Sequence, residues 1–283
     1  MMSAGKQLPP QAPKAAMRAQ WILCGLTLLA LLGLSLLQTV LAPVGAGASP
    51  IDIELLATAQ QFQTHLLADW QAVDAGQCGL SGWGGWGEPV VGPNFGRLSC
   101  HLLVDSALLV PGYVGMLVFF TLSLARRLKL RGALPHLLCL PAVAAGLADL
   151  AENGMTLRAL EQLQYFVLAD AAVADVRMAS LLKWGLLSVA AFQLAWMAFE
   201  LAWFSQEPAD RPARLIPATV FMGGASLVWA WALHFEWYLG LQLGMLLAAG
   251  GLVALLWWQL LQLWPLSHTA AEPLPVDVAA GRD

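Results

Sequence analysis

The stretch "LPHLLCLPAVAAGLADLAENGM", residues 134–155, is apolar for most of its length and then places Asp149, Glu152 and Asn153 at one end. An apolar run of this length suits a lipid-embedded helix, because a bilayer core about 30 Å thick is crossed by roughly 20 residues. Two carboxylates and an amide where that run gives out are costly in lipid, and by default they point to function.

The rest of the chain has the same character. Of its 283 residues 59% are hydrophobic and only 11% charged, and the mean hydropathy is +0.66. Soluble domains carry about 25% charged residues, so there is too little polar surface here to coat a globule in water. The apolar residues fall in long blocks, not in alternating segments of about 10 residues, which excludes a β-barrel pattern. Helices satisfy their own backbone groups within lipid. The expected fold is therefore all-α, a polytopic membrane helix bundle of six spans: Trp21–Ala42, Leu102–Ala125, Leu134–Ala151, Leu182–Phe204, Leu215–His234 and Tyr238–Leu263.

Basic residues set the orientation. With both termini inside, ten of the fourteen Lys and Arg face the cytoplasm, including Arg126, Arg127, Lys129 and Arg131 of the loop between spans 2 and 3; Arg97, Arg158, Arg177 and Lys183 face out. The expectation is N-in/C-in in a cytoplasmic (inner) membrane of bacterial type. Residues 1–20 and 265–283 read as disordered cytoplasmic tails around a bundle over 21–264, with an extracytoplasmic cap at 43–101. "AGASP" at 46–50 resembles a signal-peptidase site, but the apolar stretch before it exceeds the roughly 7–15 residues of a signal peptide. A retained anchor is expected. Trp21, Trp203, Trp237 and Trp264 lie near span ends, as in an interfacial belt.

In the cap, Leu55, Phe62, Leu66 and Trp70 share a helical stripe, supported by Ile51 and Ala59. Asp52 and Glu54 suit the start of such an amphipathic helix, where the dipole favours negative charge. Cys78 and Cys100 bracket a glycine-rich loop, and a disulfide between them would staple a segment unable to build its own core. Cys24 and Cys139 lie in apolar spans as small hydrophobes.

The polar residues converge by spacing. Asp149, Glu152 and Asn153 stand at i, i+3, i+4, on one helix face. Asp105 precedes Lys129 of the basic loop by 24 positions and Asn153 follows it by 24. Antiparallel spans therefore bring Asp105, Glu152 and Asn153 to one level near the outer surface, with Asp149 about one turn deeper. Lys183, His101, His234 and Glu236 reach a similar level; Tyr113 lies deeper, beside Pro111, which is placed to bend span 2.

Three roles fit these residues. One is a site for a small ligand, cation or lipid headgroup, made by Asp105, Tyr113, Asp149, Glu152, Asn153 and Lys183. The second is a membrane-embedded hydrolase acting on a lipid-like substrate. It would use acid–base carboxylates or a divalent metal held by Asp105, Asp149, Glu152, His101 and His234. The third is structural: Lys183 or Arg158 pairs with the acids, while Asn153 and Gly154 terminate span 3. No HExxH or GxSxG motif is present, and no phosphate-cradling glycine motif, so no nucleotide is expected. The chain's net charge is −4 and its basic residues sit in short loops, which argues against nucleic acid as a partner. Membrane lipid is the expected environment.

Overall fold

The computed structural model describes residues 54–68, 102–165, 167–205 and 212–269, and all regular structure among them is helical. The predicted first span, the N-terminal tail, residues 270–283 of the C-terminal tail, His101 and the cysteines Cys24, Cys78 and Cys100 lie outside the described residues, while residues 265–269 of the expected tail belong to the last helix. The helices are α1 (Ala59–Ala68), α2 (Val110–Arg127), α3 (Leu134–Leu137), α4 (Leu140–Gln164), α5 (Asp170–Phe204), α6 (Pro212–Phe235) and α7 (Tyr238–Thr269). A π-helical turn at Asp105–Leu109 leads into α2.

Five stretches are long and apolar enough to cross a membrane: Leu102–Arg127, Leu134–Leu163, Asp170–Phe204, Arg214–Phe235 and Leu239–Leu261. They correspond to predicted spans 2 to 6. Their outward faces are greasy; Leu227 and Leu246 are each 72% exposed, a pattern that suits lipid and not water. The bundle is serial, α4 on α5, α5 on α6 and α6 on α7, with α2 against α4 and α5. That makes α5 the central helix. Small residues allow close approach between α6 and α7. A Cβ on Gly244 would come within 2.3 Å of Trp229, and one on Gly251 within 2.5 Å of Met222. Such small-residue contacts are what packs helices where no hydrophobic drive operates between them.

Two helices are longer than expected, and this correction positions the site. Span 4 was expected to begin at Leu182, yet α5 begins at Asp170 and runs for 35 residues, about 52 Å at the helical rise. Span 3 was expected to end near Ala151, with Asn153 and Gly154 as its terminator in the structural reading, but α4 continues through both to Gln164. Asn153 is no cap: its side chain is occupied elsewhere, and the apolar residues Ala159, Leu160 and Leu163 reward continuing the helix. They pack with Phe62 of α1, Leu102, and Val173 and Val176 of α5 in a second apolar core. The α4–α5 hairpin therefore carries a small core of its own at the end opposite the basic α2–α3 turn.

The amphipathic segment also differs from expectation. The chain leaves helical geometry after Glu54, and α1 starts at Ala59. The Ala59 backbone N–H donates to Asp170 Oδ1 at 2.7 Å, so the first residue of α5 serves the start of α1. Leu55 and Phe62 of the predicted stripe are buried, at 3% and 0% exposure.

Candidate functional site

Between the main core and the small second core lies a layer of polar side chains. Its centre is Lys183, which α5 carries into the interior with only 4% exposure. Its ammonium lies 2.7 Å from Glu152 Oε2, 2.9 Å from Glu54 Oε1 and 3.4 Å from Asp149 Oδ1. All three acids are at least 95% buried. Asp149 and Glu152 reach Lys183 together because i and i+3 share a face of α4. Glu54 arrives from the segment before α1. The indole N–H of Trp184 donates to its other oxygen at 2.6 Å, and the Lys183 ammonium stands 4.9 Å from the Trp184 ring centroid.

Two more bonds extend the layer onto the second span. Tyr113 Oη donates to Asp149 Oδ2 at 2.8 Å. Asn153 Nδ2 donates to Asp105 Oδ2 at 2.7 Å and approaches Ser106 Oγ at 3.1 Å. The level match about Lys129 is thus realised as a direct contact between Asp105 and Asn153. The π-helical turn helps to aim these groups. Pro111 has no N–H to give to the carbonyl one turn back, and the backbone meets this with a wider turn, in which the Val110 N–H reaches Asp105 O. Such π-turns often mark functional positions in helices.

The structure brings together Asp105, Tyr113, Asp149, Glu152, Asn153 and Lys183. It also adds two residues that sequence reasoning missed, Glu54 and Trp184. Glu54 is expected at the start of an amphipathic helix, as a partner of its dipole; it is instead buried against Lys183. The available signal was an acid inside an otherwise apolar "IDIELL" run at 51–56.

Other expectations are corrected. Arg158 is exposed and Lys183 alone is the cation paired with these acids among the described residues. His234 is exposed and sets its ring edge against Phe235, 4.6 Å away. Glu236, next to it, has φ 52° and pairs with Arg177 of α5, tying the α6–α7 turn to the hairpin. Among the described residues no group of three or more His, Cys, Asp and Glu side chains is arranged to hold a metal ion. The acids are turned to an ammonium, an amide and a phenol. His101, the further ligand expected for a metal with Asp105, Asp149, Glu152 and His234, lies outside the described residues.

Chemically, the layer combines one ammonium with three carboxylates in direct contact and a fourth, Asp105, close by. No protein-family model matches the chain, and neither curated proteins nor solved structures yield a match.

Proposed function

We propose that this chain is a multi-pass membrane protein whose polar layer, set just below the outer end of the bundle, binds a small cation, with the proton as the ligand. One observation supports this above all: a single buried ammonium faces three buried carboxylates. If every group were ionised the centre would carry a formal charge of −2, which a buried site does not sustain without protons or a cation. Carboxylates in contact share protons as a set, not as separate residues. Asp105, only partly buried, stands at the edge of the layer and is the natural point of entry. Lys183, Tyr113 and Asn153 are the fixed donors that orient the acids.

The orientation follows from the basic α2–α3 turn. With that turn in the cytoplasm, the polar layer and the second core lie toward the outer face, and both termini lie inside. Six spans, with Trp21–Ala42 as the first, complete the arrangement.

Infrared spectroscopy of the protein in lipid tests the assignment. The wild type is expected to show the C=O stretch of a protonated carboxyl group, weakened or moved in Glu152→Gln and in Asp149→Asn. A spectrum with no such band between mildly acidic and mildly alkaline pH would leave the layer a purely structural ion-pair set.

A further inference from the structure

Glu54 is held in a manner that one ion pair does not require. Its two carboxylate oxygens have separate donors: Lys183 Nζ at 2.9 Å on Oε1 and Trp184 Nε1 at 2.6 Å on Oε2. The donors are consecutive residues of α5, both 4% exposed, so one helix presents an ammonium and an indole N–H as a fork. The fork is rigidly backed. The Trp184 ring lies 5.6 Å from that of Trp229, whose own N–H is spent on Leu241 O at 3.1 Å. Asp149 and Glu152 anchor the ammonium from α4. Glu54 itself belongs to a different part of the chain, 129 positions from Lys183. The fork is thus built by the bundle, and its occupant is delivered from outside it.

We propose that Lys183 and Trp184 form a carboxylate-binding site that Glu54 fills from within the chain and that also takes the carboxylate of an external molecule. Exchange of one carboxylate for another leaves the formal charge of the layer unchanged. It also leaves both donors satisfied, where an empty fork would strand a buried ammonium and a buried N–H. In the intact chain Glu54 competes at the high effective concentration of a tethered group. An external carboxylate therefore enters when the segment bearing Glu54 withdraws. Two sources share this chemistry, a small free carboxylate and the carboxylate end of a lipid-derived amphiphile. Withdrawal of Glu54 would open the fork to either.

The test is chemical rescue in the full-length chain. Glu54→Ala is purified in detergent and its thermal unfolding followed against sodium acetate, with acetamide and sodium chloride at matched concentrations as controls. The expected result is a rise of about 3 °C that grows with the logarithm of acetate concentration, as binding to the folded state requires. Acetamide and chloride should give none. Glu54→Gln, whose amide fills the fork, should not respond. Adding Trp184→Phe to Glu54→Ala should raise the half-saturating acetate concentration about tenfold. Decanoate acting at much lower concentration than acetate identifies an amphiphile as the source; equal potency identifies a small carboxylate. If Glu54→Ala does not fold alone, its recovery as a monodisperse species with acetate and not acetamide reads the same property. Equal responses to acetate and acetamide, or none to either, overturn the proposal. The infrared band belongs to Asp149 and Glu152, so its loss would sink the proton assignment and leave this one standing, and the converse also holds.

Discussion

Lys183 Nζ lies 2.9 Å from Glu54 Oε1, which joins the central helix to a segment 129 positions earlier in the chain. Each partner is more than 90% buried. The contact fastens the α1 segment to the bundle at a buried charged point, flanked by the apolar anchors Leu55 and Phe62, and the Ala59 N–H adds a second tie to Asp170.

Removing the ammonium should be the most damaging single change in the layer. Lys183→Met strands three carboxylates in a dry interior, and a broken buried ion pair costs about 3–5 kcal/mol. Chemical denaturation in detergent would measure it. Replacing Glu54, Asp149, Glu152 and Lys183 together with apolar residues of similar volume should recover most of that stability, while abolishing the infrared carboxyl band. A quadruple variant that is as unstable as Lys183→Met would mean that the layer is retained for stability.

The second-span contacts should be worth less. Tyr113→Phe removes one hydrogen bond to Asp149 and should cost about 1 kcal/mol. Asn153→Ala takes away the amide that donates to Asp105; with Asp105 only partly buried, a loss of about 1–2 kcal/mol is expected. Thermal unfolding of both variants, and of the pair with Asp105→Ala, checks this. Asn153→Ala should be nearly silent once Asp105 is absent.

Two glycines separate a helix interior from a helix end. At Gly154 nothing lies within 4 Å of an added Cβ, and α4 runs straight through. Gly154→Ala should therefore stabilise by about 0.5–1 kcal/mol. Had the helix ended there with a left-handed residue, the same change would destabilise. Gly244→Ala has the opposite expectation. Its Cβ would meet Trp229 at 2.3 Å, and that ring is fixed by its bond to Leu241 O. A loss of about 1–3 kcal/mol should appear in thermal unfolding.

Much of this was legible in the sequence because membrane helices obey a simple length rule. The spans after the first were readable from apolar runs, and the level of Asp105 against Asn153 from counting residues about Lys129. Helix lengths were less readable. Asn153–Gly154 carries the local signature of a helix end, and only tertiary burial of Leu160 and Leu163 against α1 and α5 overrides it. Glu54 was missed for a related reason. An acid near the start of an amphipathic segment reads as a dipole partner, and nothing local shows that a lysine 129 positions away will receive it. For His234 the level along the chain was readable, and its exposed position at the end of α6 was not.

The most direct measurement is a double-mutant cycle of Glu54→Gln and Lys183→Met, with unfolding free energies for the wild type, both single variants and the double. Direct contact predicts strong non-additivity, a coupling of about 1–3 kcal/mol, because once either partner is gone the other has less to lose. Additive effects within about 0.3–0.5 kcal/mol would mean that Glu54 and Lys183 do not meet, and the picture of a charged layer closed by the α1 segment would be wrong.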